Sequence, residues 1–246
     1  KYDAWNRLVE VSDGGVLVAK FGYDGAGRRI LKLFDSQSPA APDGLDGYEH
    51  LFLAGQQVVE ARAGAGSVPA AAETLPPKFQ QVWSPRYLDA PILRDANADA
   101  DGQCDDQRLF YLADANYNVT ALVDGAGNVV ERYLYDAYGK TKILDADFAA
   151  DADNRSDFGN ATLYTGRELD LATGIYYYRA RYYSAELGRF VGRDPLRYLD
   201  SMNLYAYAGN SPAGRLDPLG TTIWDEYPRW LSREVSPDEL EKMIRE

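Results

Sequence analysis

Tyr164-Thr165-Gly166-Arg167-Glu168-Leu169-Asp170 opens the stretch whose reading decides the fold. It continues Thr173-Gly174-Ile175-Tyr176-Tyr177-Tyr178-Arg179-Ala180-Arg181-Tyr182-Tyr183, then Gly188-Arg189-Phe190 and Asp194-Pro195. Asn203-Leu204-Tyr205-Ala206-Tyr207, Asn210-Ser211-Pro212 and Asp217-Pro218-Leu219-Gly220 close it. Aromatic and β-branched residues between glycine and Asp-Pro signals read as short strands and turns. Ile175 to Tyr183 reads as one strand, with alternate tyrosines facing opposite sides. Sheet core with bonded hydroxyls is the expectation for these tyrosines. An exposed row that binds carbohydrate or stacks on a partner is the alternative.

Outward from this stretch the pattern repeats. Tyr2-Asp3-Ala4-Trp5-Asn6-Arg7-Leu8 is echoed by Tyr23-Asp24-Gly25-Ala26-Gly27-Arg28-Arg29-Ile30. Asp124-Gly125-Ala126-Gly127-Asn128-Val129-Val130 leads to Tyr135-Asp136-Ala137-Tyr138-Gly139-Lys140. A spacing of roughly 20 residues signals a repeat architecture. Asp and Gly supply a turn, and the flanking Val, Ile, Leu and Tyr supply strands, so each unit predicts a hairpin. Val16 to Phe21 and Val129 to Leu134 are clear strands. Tyr48 to Leu53 and Gln56 to Glu60 form a hairpin around Ala54-Gly55. Gln80 to Trp83 and Leu109 to Leu112 are further strands. Ser36 to Gly47 and Ala61 to Pro77, rich in Ala, Pro, Gly and Ser, read as surface loops.

Charge and composition narrow the function. Lys and Arg number 26 against 38 Asp and Glu, for a net charge of -12. That balance argues against a basic nucleic-acid-binding face. The single Cys104 excludes an internal disulfide and a cysteine-cluster zinc site. The single His50 sits in no catalytic motif. No apolar run has the length of a membrane span. The chain opens on Lys1 in mid-pattern, so it is expected to be a fragment of a longer one. At the other end Trp224, Tyr227, Trp230 and Leu231 cluster. Ser236-Pro237-Asp238-Glu239 predicts the capped start of a short helix.

The Tyr-Asp units and the motifs from Tyr164 to Gly220 resemble the RHS/YD-repeat family of large secreted or cell-surface shell proteins that often carry toxins. The resemblance implies an all-β fold: repeated hairpins in a continuous curved sheet, part of a hollow shell, ending in a core region that plugs it. It divides the chain into 1–158, YD-repeat sheet with loop insertions; 159–221, core region; and 222–246, a tail too short for an enzymatic toxin. The implied partner is the protein's own C-terminal segment, enclosed as cargo, with a cell-surface partner beside it.

In toxin-bearing relatives the core resembles an intramolecular aspartyl protease that cuts just after its own terminal Asp-Pro-x-Gly-Leu motif. The matching residues are Arg181 of Arg-Tyr-Tyr, Asp194 of the first Asp-Pro and Asp217 of the terminal one. Two close carboxylates do not both ionise cheaply, so one acts as acid while the other activates water. A guanidinium would hold a carboxylate ionised or stabilise the oxyanion. The sequence departs from the pattern at Thr221, where the family has Leu; a cut would fall after Thr221. Asp-Pro pairs are also ordinary turn formers. A non-catalytic surface or adhesion protein with the same fold is therefore the alternative function.

One further motif lies outside the resemblance. Asn97, Asp99, Asp101 and Asp105, with Gly102 for a sharp turn, have the alternating oxygen spacing of a calcium loop. The closing Glu of an EF-hand is missing, since Arg108 occupies its place. No cofactor is required by this reading, and Ca2+ is the one it admits. The other reading is a solvated acidic loop. The second acidic run, Asp145 to Asp157, lacks the Gly and the spacing and reads as a surface loop.

Overall fold

An aspartate can close a hairpin by taking over backbone N–H groups that the turn leaves open. The computed structural model, which describes residues 1–38, 40–99, 101–199 and 201–221, repeats one such turn along the chain. The Asp24 carboxylate accepts the N–H groups of Ala26 and Arg28, each at 2.9 Å. Asp124 does the same with Ala126 at 2.9 Å and Asn128 at 2.8 Å. Asp136 holds Tyr138 and Lys140, and Asp3 holds Trp5 and Arg7. The fourth residue of each turn lies at positive φ: Asn6 at 63°, Gly27 at 78°, Gly127 at 89° and Gly139 at 87°. Asp114 builds a further copy with Asn116 and Asn118, in which Tyr117 takes the positive φ of 60°.

The turns at Asp24, Asp114, Asp124 and Asp136 each join neighbouring strands of a sheet of eleven that pair in sequence order, all antiparallel. The strands are β1 (Glu10–Asp13), β2 (Val16–Tyr23), β3 (Arg29–Phe34), β4 (Gly47–Ala54) and β5 (Gln57–Ala65). β6 (Pro77–Trp83), β7 (Pro91–Ala96), β8 (Gln107–Ala113), β9 (Val119–Val123), β10 (Val129–Tyr135) and β11 (Thr141–Asp145) complete the sheet. The register slips at Gly22/Tyr23, Val82/Trp83 and Leu112/Ala113, near strand ends. Such bulges bend and twist a strand, so the sheet curves.

A second, four-stranded sheet holds β12 (Glu168–Asp170), β13 (Ile175–Tyr178), β14 (Arg181–Ser184) and β15 (Arg189–Phe190). Its tyrosines sort by the two-residue period of a strand. Tyr176, Tyr178 and Tyr183 join one cluster with Leu109, Leu122, Tyr133 and Ile143, from β8 to β11. Tyr177 and Tyr182 face the other way, onto Leu8, Ala19 and Phe21. The large sheet thus covers both faces of the small one. Buried hydroxyls find partners, as their desolvation demands. Tyr183 donates to the Tyr138 carbonyl at 2.7 Å, and Tyr178 and Tyr207 share a bond of 3.1 Å. The core reading of these tyrosines holds.

Three local expectations change. Ile175 to Tyr183 is a hairpin, since Arg179 at φ 57° turns the chain within a run whose aromatic alternation looked continuous. Ala61 to Ala65 belongs to β5 and pairs with β4. Small residues serve there because a Cβ on Gly64 would lie 2.3 Å from the Tyr48 hydroxyl. The loop from Ser36 is tied inward: Ser38 is buried and donates to the Ala172 carbonyl at 2.7 Å. The first sheet ends at Asp145 and the second begins at Glu168, on either side of position 158. The aromatic cluster from Trp224 and the helix expected from Ser236 lie outside the described residues.

Candidate functional site

The β13–β14 hairpin lays three consecutive residues along the segment that ends the described chain. Arg179 donates to the Pro218 carbonyl. The Ala180 N–H reaches Leu219 O at 3.2 Å, and Arg181 Nε reaches Gly220 O at 2.6 Å. Gly220 at φ 68° is required there, since a Cβ would stand 2.2 Å from the Tyr178 carbonyl oxygen. The guanidinium of Arg181 is buried and lies 3.6 Å from the centre of the Phe190 ring.

Arg181 gathers both aspartates of the Asp-Pro pairs. Its Nη2 stands 2.9 Å from Asp194 Oδ2 and 3.1 Å from Asp217 Oδ2. Each carboxylate uses its other oxygen to hold a turn. Asp194 Oδ1 accepts the Leu196 N–H at 2.8 Å, and Asp217 Oδ1 accepts the Thr221 N–H at 2.9 Å. The Leu204 carbonyl accepts from Arg181 Nη1 at 3.2 Å and from the Asp194 N–H at 3.0 Å. The three residues marked by motif are therefore brought together, and the turn-forming role of the Asp-Pro pairs is present as well. Two carboxylates on one cation, beside the peptide chain, form an arrangement fit for acid–base work on an amide. Leu204 and Phe190 were in quoted motifs without a role. Asp89, which bonds Arg179 Nη2 at 2.6 Å, carried no sequence signal.

The loop with Asn97, Asp99, Asp101 and Asp105 is held by its own carboxylates. Asp99 Oδ1 accepts the Asp101 N–H at 3.0 Å, and Asp101 Oδ1 accepts the Gln103 N–H at 2.7 Å. Asp106 takes the N–H groups of Ala98 and Asp99, while Asn97 Nδ2 donates to Pro77 O. Among the described residues, the acidic group whose ligand atoms all lie within 4.8 Å is Asp145, Asp151 and Asp157. The second acidic run is a surface loop, as its composition implies. Its chain folds back through an isolated bridge between Leu144 and Ala150. No described helix is long and apolar enough to cross a membrane.

No family model matches the chain. Toxin subunit YenC2 of Yersinia entomophaga is 30% identical over 219 residues, 88% of this chain and 20% of its own length. The tRNA nuclease WapA of Bacillus subtilis (strain 168) is 35% identical over 122 residues, 48% of this chain and 5% of its own. The chain thus spans a small part of these relatives. The crystal structure of TcdB2-TccC3-Cdc42 superposes with a TM-score of 0.64 at 23% identity, over 90% of this chain and 10% of that one. A wall of sequential β-hairpins packed around a tyrosine-rich core sheet is the fold that this chain shares with that structure. The chain belongs to the RHS-repeat proteins.

Proposed function

We propose that this chain is wall and plug of an RHS-type shell, secreted or displayed at a cell surface, that encloses a C-terminal segment. Within it, Arg181, Asp194 and Asp217 cut the chain after Thr221. The observation that carries this reading is the shared contact of both carboxylates with one buried guanidinium, at the segment ending in Thr221. In the reaction one carboxylate takes a proton from water as the oxygen attacks the Thr221 carbonyl. The other, in its acid form, gives a proton to the leaving nitrogen of Thr222, and the C–N bond breaks. Arg181 offsets negative charge as it develops.

The experiment is the intact mass of the purified protein beside an Asp194→Asn variant, in a chain extended to the whole repeat array. Two fragments meeting at Thr221, and one uncut mass in the variant, are expected. A single uncut mass in both chains excludes self-cleavage. That outcome favours the second reading, a non-catalytic surface or adhesion protein in which the clamp only holds the core together. The double duty of each carboxylate, one oxygen on a turn and one on Arg181, supports that alternative.

A further inference from the structure

A cavity of about 100 Å³ lies between the inner face of β3 to β8 and the segment from Gly159 to Glu168. Seven cationic side chains line it: Arg28, Arg29, Lys32, Lys78, Arg94, Arg167 and Arg179. The carboxylates paired with them are fewer. Arg28 pairs with Asp24, Arg29 and Lys32 share Glu168 and Asp170, Lys78 pairs with Glu49, and Arg167 and Arg179 share Asp89. Two of the seven cations are left over against these five acids. Arg94, 7% exposed, has no carboxylate partner among the described residues; Nη1 donates to Gly159 O at 3.0 Å.

The donors repeat the imbalance. Gln81 and Arg94 face each other directly across the β6–β7 ladder, so their side chains share one face. Gln81 is 6% exposed, and its Nε2 has no hydrogen-bond partner. Arg94 Nε has none either, and the same is true of Arg29 Nε and Arg179 Nε. Buried donors and excess buried charge both destabilise a fold unless something answers them. Burial and the adjacent Arg167 also push the Arg179 guanidinium below its ordinary pKa, a sign of crowded positive charge.

We propose that this cavity binds a tetrahedral oxyanion of the phosphate class as a dianion. Its charge answers the two surplus cations, and its oxygens accept from Gln81 and Arg94. The volume is below that of a pocket for a drug-sized or nucleotide ligand and suits a small ion. Lys78, with its side chain 42% exposed, marks the way in.

The test is a titration of the protein with inorganic phosphate at constant ionic strength in chloride, read by calorimetry and by the melting temperature. One saturable site with a raised melting temperature is expected. Arg94→Gln should weaken binding at least tenfold, while Arg132→Gln, outside the cavity lining, should leave it unchanged. Should Arg94→Gln fail to fold, Gln81→Leu serves: it should weaken phosphate binding several-fold and melt no lower than the parent in chloride. Binding of phenyl phosphate equal to that of inorganic phosphate would place the group on a larger molecule; rejection of the ester would mean a free, enclosed ion. Absence of saturable binding to the parent protein, or an unchanged affinity in both cavity variants, overturns the proposal.

Discussion

Gly166 and Gly127 share a left-handed backbone but not a neighbourhood. A Cβ on Gly166, at φ 68°, would stand 1.8 Å from the Asp89 carbonyl oxygen, whereas one on Gly127, at φ 89°, meets nothing within 4 Å. Gly127→Ala should therefore cost about 1 kcal/mol, the conformational part alone. Gly166→Ala should cost about 3 kcal/mol or more, because backbone must move as well. Urea denaturation midpoints of the two variants check the difference. At this scale the sequence was informative about identity and silent about geometry. Arg181, Asp194 and Asp217 stood in motifs, yet their separations along the chain do not say that one guanidinium nitrogen touches both acids. The calcium-type spacing from Asn97 likewise says nothing about where each carboxylate points.

The aspartate turn recurs along the wall, at Asp24, Asp114, Asp124 and Asp136. At Asp124 the N–H of Asn128 is the largest influence on the carboxyl, and with the other turn bonds it holds the group below its ordinary value of 3.8. A depressed folded value means stabilisation that is complete above the unfolded value and lost as pH falls through the folded one. Asp124→Ala should lower the urea midpoint at pH 7, and its deficit against the parent should shrink as the pH falls below 3.8. Asp124→Asn, which keeps an acceptor for Ala126 and Asn128, should lose less. Most copies of this turn were legible because Gly or Asn stands at the positive-φ position. The copy at Asp114 was hidden, since Tyr117 takes that place, stacked on Tyr87 with ring centres 3.9 Å apart. The hairpin at Arg179 was hidden for the same reason: no glycine announces it.

The whole molecule is a curved wall closed on a core sheet, and buried charge stitches the two. The wall and its repeats were legible from periodic turns; the wrapping of both faces of the small sheet was not, because it depends on accumulated twist and bulges. Burial pushes the Glu49 carboxyl up, but Lys78 and Lys32 outweigh it and hold it at about 2, against 4.5 unfolded. Asp170, also pushed up by burial, is held below its ordinary value by Lys32 and Arg29. Stability should thus be full above pH 4.5 and fall as pH approaches 2, with Glu49 contributing on the order of 3 kcal/mol. Glu49→Gln should be less stable at pH 7 and show a flatter loss across that window, measured as denaturation midpoint against pH. An unchanged slope in the variant would remove Glu49 from the acid response.

The clamp on residues 218–220 has a mechanical meaning. Three successive carbonyls, of Pro218, Leu219 and Gly220, are gripped by Arg179, Ala180 and Arg181. Tension on an uncut chain beyond Thr221 meets these bonds first, and through Arg181 it passes into the β13–β14 hairpin. In an uncut chain the core hairpin is thus the anchor of a tether.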